Sequence, residues 1–502
     1  MHWLGVDIGG TFTDLVLLDD RTGEVRTAKV PSTPANQAEG VLAGLAKIGA
    51  SLETLRNLFH GTTVATNTLI ERRGTSTAMV TNEGFRDLIE IGRTQRMDPN
   101  SMFDPTFQRG KPLIAREMRF EVRERTLADG RVETPPDKAD LLALGKKIRA
   151  AKAGAVAVCL LHAYRNPAGE RAAAAALRKA APGIFVCLSS EVVPEYREYE
   201  RFSTAVINAY LSPEFSKYLN FLATRLRERG FTREVMVMTS SGGMLPASTV
   251  SGRAFQALAS GPAAGVYGAV FVARSARRPR LITCDMGGTS TDVCLVLDYT
   301  PRTVNLRHIE SFPVKTPQLE ICSVGAGGGS VAWVDDGRIL RIGPQSAGAR
   351  PGPACYGQGG TEATVTDSNL VLGRLPSHAL GGEIVLRPEL ARAAVARLGV
   401  ALGIRDAVRA AEGVIEVAVA KMVTPIRQIS VEKGHDPRDF SLAVFGGAGP
   451  MHGIPIAEAM EIGEVLVPPH PGNLCALGLL AVDVRHDYVR TLLKRLDTLK
   501  WG

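Results

Sequence analysis

The chain is poor in aromatic residues, 6% of 502 positions with three tryptophans, and holds only seven cysteines. The cysteines, at 159, 187, 284, 294, 322, 355 and 475, are scattered and form no C-x-x-C pair. That spacing excludes a disulfide framework and the ligand sets of structural zinc or iron–sulfur sites, and it points to a reducing, cytoplasmic compartment. Few aromatics argue against a nucleic-acid surface, which interleaves stacking side chains with basic ones. The net charge of +8 is small for this length, and its densest basic cluster (Arg274, Arg277, Arg278, Arg280) reads as a solvated connector. No apolar run approaches the roughly 18–20 residues of a membrane span, so no membrane partner is expected. Met1 leads directly into an apolar strand, so no signal peptide is expected before the fold. A P-loop is also missing, since no G-x-x-x-x-G-K-S/T occurs.

One pattern occurs twice instead. Asp7-Ile-Gly-Gly-Thr-Phe-Thr-Asp14 opens the chain, and Asp285-Met-Gly-Gly-Thr-Ser-Thr-Asp292 stands past its middle. Apolar runs flank both copies, which reads as strand, tight Gly-Gly turn, strand. Glycines let backbone amides approach a bound group and threonine hydroxyls add donors, so the turn suits phosphate oxygens. An Asp at the strand end can hold a divalent metal through water or orient an attacking water. A single Gly-Gly hairpin is usually only a turn. Its long-period repetition implies a duplicated unit with a site between the halves. A third Gly-rich loop, Gly446-Gly-Ala-Gly-Pro450, follows the apolar run Ser441–Phe445 and leaves room for a nucleoside ring against its backbone.

Alternating strands and helices make the chain α/β. Expected strands include 24–30, 58–62, 77–81, 155–161 and 184–188, with helices over about 36–49 and 170–181 and an irregular insertion over about 97–136. Pro31 and Pro34 are expected to end the third strand. Helices over about 204–229 and 407–429 and a strand at 235–238 belong to the second part. We divide the chain into residues 1–190, 191–490 and a short tail, 491–502.

The order of turns resembles the actin, sugar-kinase and heat-shock-70 ATPase superfamily, implying duplicated ribonuclease H-like halves with a nucleotide cleft between them. Longer motifs are similar to the hydantoinase A/oxoprolinase family: His60-Gly-Thr-Thr-Val-Ala-Thr-Asn67, the Gly84–Arg93 segment, Ser323-Val-Gly-Ala-Gly-Gly-Gly-Ser330, Gly348–Gly357, Thr366–Arg374 and Phe445-Gly-Gly-Ala-Gly-Pro-Met-His452. The similarity runs from about residue 3 to 490. It implies ATP and Mg²⁺ or another divalent metal as cofactors, a hydantoinase B-type partner subunit in a hetero-oligomer, and phosphorylation of a carbonyl oxygen. The leading expectation is ATP-dependent ring opening of a cyclic amide or imide of hydantoin or 5-oxoproline type. The alternatives are an ATP-dependent acetone or acetophenone carboxylase subunit and a catalytically inactive nucleotide-binding subunit. By the same resemblance, Asp7 and Asp285 are the catalytic and metal-binding acids. Gly9, Gly10, Thr11 and Thr13 bind phosphate from one side, and Gly287, Gly288, Thr289 and Thr291 from the other. Gly446, Gly447 and Gly449 meet the nucleoside.

Other positions keep two readings each. His60, Thr62 and His452 are candidates to face substrate, against ordinary capping or core roles. Asp367 is a helix-capping residue or a ligand. Gly325–Ser330 offers amides to an anion or packs closely on another backbone; Ser330 replaces the last glycine of a dinucleotide fingerprint, so a Rossmann reading is set aside. Two departures from the family pattern stand out. Glu320-Ile-Cys322 replaces an Asp-x-His before the Gly-rich loop, which bears on substrate. The chain also stops at Trp501-Gly502, where family members continue for over a hundred residues, which implies a shortened C-terminal region.

Overall fold

A computed structural model describes residues 1–33, 36–93, 102–108, 110–378, 385–494 and 497. Pro34, parts of the expected insertion (97–101 and 109) and most of the tail beyond 494 lie outside the described residues.

The first repeat forms the expected hairpin. Strand His2–Ile8 pairs antiparallel with Phe12–Asp19, and Asp7 comes directly opposite Asp14. Val25–Pro31 extends the sheet beyond Phe12–Asp19. On the other side Leu55–Thr62 runs parallel to His2–Ile8, followed by Val235–Met238 and Met244–Pro246. The second repeat copies this plan. Leu281–Met286 pairs with Thr291–Leu297, again placing its two acids, Asp285 and Asp292, opposite each other. Ile321–Val324 lies outside Thr291–Leu297, and Ser441–Phe445 and Val465–Leu466 lie parallel on the other flank. Both sheets therefore share one strand order, third-second-first-fourth-fifth, with only the second of the five reversed. That is the ribonuclease H-like arrangement, and the chain is an α/β protein built from two such halves. Leu4 to Ile8 and Leu442 to Phe445 are buried on both faces, as central parallel strands require.

The first sheet takes its last two strands from residues 235–246, well past position 190. A smaller, wholly parallel sheet, Phe185–Leu188, Ala155–Cys159, Thr77–Asn82 and Arg119–Val122, is inserted into this half. Helices Lys138–Ala150 and Ala168–Ala180 cover one of its faces. The long helix Glu198–Glu228 covers the other with Phe202, Ala205, Val206 and Ala209. Its Ile207, Leu211 and Phe215 pack into the core of the larger sheet, so this helix joins the two layers. Between the halves lie helix Ser260–Ala276 and the short helix Leu474–Gly478, whose Ala263, Val266 and Leu474 share one apolar cluster with strands of both sheets. Among the described residues no helix is long and apolar enough to cross a membrane.

Candidate functional site

The two hairpin tips meet. A Cβ placed on Gly288 would stand 2.9 Å from Thr11 Oγ1. Each turn is closed the same way, with Gly9 N donating to Phe12 O (2.9 Å) and Gly287 N to Ser290 O (3.1 Å). Among the described residues, the amides of Gly10, Thr11, Gly288 and Thr289 donate to no protein acceptor. Turns with unpaired amides of this kind are suited to an anion.

Below the tips, Asp7 and Asp285 sit in matching glycine slots. Asp7 pairs in register with Gly61 of the neighbouring parallel strand, and a Cβ there would come within 2.6 Å of Asp7 Oδ1. Asp285 is level with Phe445, and a Cβ on the following Gly446 would stand 2.4 Å from Asp285 Oδ1. The other wall of both slots is one helix. Gly261 and Gly265 of Ser260–Ala276 would place a Cβ 3.1 Å from Asp7 Oδ1 and 3.3 Å from Asp285 Oδ2. Residues four apart share a helix face, so one face of this helix touches an acid from each half.

The site gathers negative charge in a dry place. Burial, then Asp14 and Asp285, push Asp7 up to about 7. Burial, then Asp292, do the same for Asp285. Asp14 and Asp292 are also raised by burial, but each has partial relief. Lys29 pairs with Asp14, and Asn473 Nδ2 donates to Asp14 Oδ1 at 3.0 Å. Ser323 donates to Asp292, and Arg307 Nη2 donates to Ser323 Oγ at 3.3 Å. The Cys475 thiol, held well above its ordinary value by burial and then Asp285, donates to Asp285 Oδ2 at 3.2 Å. Asp7 Oδ1 has no partner although it is buried. An orphaned carboxylate oxygen among four clustered acids suits a divalent cation. No group of three or more metal-ligating side chains exists among the described residues. A magnesium ion would need only one or two of these carboxylates, with water and phosphate oxygens completing its shell. The residues thus fit the metal expected with a nucleotide.

Not every expected residue faces the gap. Thr13 is fully buried with Oγ1 3.2 Å from Ser32 Oγ, and Thr291 is fully buried with its hydroxyl donating to Ala326 O. These second threonines brace the hairpins from behind, whereas Thr11 and Thr289 stand at the tips. Gly446 clears Asp285 and Gly449 packs near Cys284 O, which leaves Gly447 as the open glycine of the third loop. His60 lies inside the first half. Its Nδ1 donates to Val6 O (3.2 Å), Nε2 accepts from the Tyr218 hydroxyl (2.7 Å), and burial pushes it down to about 4. Thr62 is buried beside it, exchanging bonds with Ser260 and accepting from Val64 N. His452 is buried in the second half, where Asn369 Nδ2 donates to its Nε2 at 3.2 Å. All three side chains are buried.

Asp367 is the third residue of a helix whose N-cap is Thr364, and its carboxylate also accepts from Ala354 N and Cys355 N. The Gly325–Ser330 loop spends its amides within the protein. Gly328 N donates to Gly287 O (3.0 Å), and Gly329 N to Gly288 O (2.7 Å). Close packing is therefore the right reading, and the loop buttresses the second hairpin. Glu320, from the departing Glu320-Ile-Cys322, pairs with Arg302 and Lys433. Sequence reasoning passed over Asp14, Asp292, Lys29, Asn473 and Cys475. The first two carried a signal, since a tight hairpin sets the last residue of the repeat opposite the first. Lys29 falls opposite Asp14 in the third strand. Asn473 and Cys475 arrive from a distant segment with no local mark.

Paired turns between two ribonuclease H-like halves define the architecture shared by actin, the sugar kinases and the heat-shock-70 ATPases. Within that class the chain belongs to the hydantoinase/oxoprolinase family, whose N-terminal-region model matches residues 3–181 and whose main model matches residues 201–488. It is 39% identical to caprolactamase subunit alpha of Pseudomonas jessenii over 98% of this chain and 72% of that one. It is 35% identical to the acetophenone carboxylase gamma subunit of Aromatoleum aromaticum, over 97% and 68%. The crystal structure of the ATP-dependent caprolactamase from Pseudomonas jessenii superposes with a TM-score of 0.83 at 37% identity, covering 96% of this chain and 71% of that one.

Proposed function

We propose that this chain binds ATP between its two hairpins and transfers the γ-phosphoryl group to the carbonyl oxygen of a cyclic amide or imide. The observation that carries the reading is the meeting of the two tips above Asp7 and Asp285. Gly10 and Thr11 on one side and Gly288 and Thr289 on the other present amides and hydroxyls to the phosphates, and Gly447 leaves room for the nucleoside. Such a transfer asks the protein to position groups and offset charge more than to do covalent chemistry. A divalent cation, where bound, would be held by Asp7 and Asp285 through water and would neutralise phosphate charge. Lys29 adds a fixed positive charge at the first hairpin.

In the proposed reaction the carbonyl oxygen attacks the γ-phosphorus and ADP leaves with the electron pair of the broken bond. Water adds to the activated carbon, the ring C–N bond breaks as nitrogen takes a proton, and a second water releases phosphate from the acyl phosphate. We assign the water-dependent steps to a complex with a hydantoinase B-type subunit, since the caprolactamase and acetophenone carboxylase relatives are named as subunits.

The test is ATP hydrolysis by the chain with its B-type partner. Stimulation by hydantoin, 5-oxoproline or ε-caprolactam is expected. Stimulation by a ketone with bicarbonate alone would instead favour a carboxylase subunit, the reading supported by likeness to acetophenone carboxylase. Nucleotide binding without stimulated turnover in any pairing would leave a nucleotide-binding subunit.

A further inference from the structure

The two halves balance the last acid of their repeats differently. In the first, Lys29 on the third strand is level with Asp14, pairs with its carboxylate and lies over the ring of Phe12 (5.1 Å) at the hairpin tip. In the second, the third-strand residue level with Asp292 is Ser323, which carries no charge. The cation facing Asp292 comes from another element.

Arg307 supplies it. Its Nη2 donates to Ser323 Oγ at 3.3 Å, and Ser323 donates in turn to Asp292 Oδ1. On the other side of that carboxylate, Ser290 Oγ donates to Oδ2 at 3.4 Å. A chain of polar contacts thus runs from the guanidinium to the turn that Gly287 N and Ser290 O close. Burial pushes Arg307 below its ordinary value, and the Asp292 carboxylate is the foremost charge opposing that shift.

The backbone that carries Arg307 is fixed. It belongs to the hairpin of strands Thr303–Ile309 and Phe312–Leu319. In chain order this hairpin lies between two strands of the second sheet, yet it packs on the first half. Ile309 and Val314 share the first half's apolar core with Ile207 and Leu211, and Lys315 N donates to Thr204 Oγ1 at 2.8 Å. Arg307 is level with Val314 and two residues from Ile309. One half therefore holds its backbone while its side chain serves the other.

A carboxylate beside a phosphate-binding turn repels the ligand unless a cation offsets it. Resting on the ATP reading proposed above, we infer that Arg307 is a positioning residue of the second phosphate turn and the counterpart of Lys29. It acts through Ser323 to offset Asp292 and so leaves that turn open to phosphate.

Calorimetric titration of the full chain with a non-hydrolysable MgATP analogue tests this. Arg307→Gln keeps a donor for Ser323 but removes the charge, and is expected to weaken binding by about tenfold. Arg307→Lys keeps the charge and is expected to bind more tightly than Arg307→Gln. Adding Asp292→Asn to Arg307→Gln should return most of the lost affinity, because the acid left unbalanced is then neutral. A merely structural arginine would lower the melting temperature without this rescue. Unchanged affinity in Arg307→Gln, or a loss that Arg307→Lys shares in full or Asp292→Asn leaves in place, overturns the assignment while the ATP reading stands. Failure of the unaltered chain to bind the analogue would instead sink the ATP reading, and the assignment with it.

Discussion

Asp7 is held in a glycine slot with one oxygen unpartnered, and Asp285 occupies the matching slot. Both acids are pushed up to about 7, so between about pH 4 and 7 the folded protein keeps protons that the unfolded chain releases. Stability is therefore full below the ordinary carboxylate range and falls as pH rises through 7. Asp7→Asn and Asp285→Asn are each expected to abolish ATP hydrolysis while raising the melting temperature of the nucleotide-free protein at pH 8, read by thermal melts at pH 5 and 8. A lowered melting temperature at pH 8 would contradict the electrostatic account. Such opposition of stability and activity is usual where an active site carries strain. At this scale the sequence was legible where chemistry is local. The Gly-Gly turns and both acids could be read because a tight hairpin fixes its own geometry. Strand parity turns Thr13 and Thr291 to the buried face, which the motif alone does not reveal. His60 kept two readings because nothing nearby in sequence announces Tyr218 as its partner.

At the scale of elements, helix Ser260–Ala276 does most to hold the site. Gly265→Ala would bring a methyl within 2.7 Å of the Phe445 ring, 2.9 Å of Cys475 Sγ and 3.3 Å of Asp285 Oδ2. It is expected to cost about 1–3 kcal/mol of stability and to lower kcat more than it raises KM for ATP, measured by steady-state kinetics. The Thr364–Asp367 capping box acts differently. Asp367→Ala strands the Ala354 and Cys355 amides in a buried place and is expected to cost about 2–4 kcal/mol. Nucleotide affinity of the folded fraction should remain, checked by denaturant melts alongside MgADP titration. The helix from Ala407 to Ile429 was legible with its observed bounds because it presents a regular apolar stripe. Leu474–Gly478 went unseen because five residues carry no period, although they pack between the halves.

Across the whole molecule, duplication was the strongest message in the sequence, because repeated polar turns are hard to explain by packing alone. The shared strand order confirms the two halves. A ligand clasped by both halves stabilises them together. Saturating MgATP analogue is therefore expected to add about 2.7 kcal/mol at a hundred times its Kd, and to merge any separate melting of the halves into one transition by calorimetry. A shift confined to one of two transitions would mean that only one half grips the nucleotide.

The helix between the halves also works as a ruler. Its Gly261 and Gly265 lie one turn apart, so the acids they touch are referenced to marks about 6 Å apart on a single rigid rod. The Ser260–Thr62 bonds anchor the rod's start to the first half, and Gly265 sets it against the acid of the second. The separation of the two acids is thus tied to the pitch of one helix.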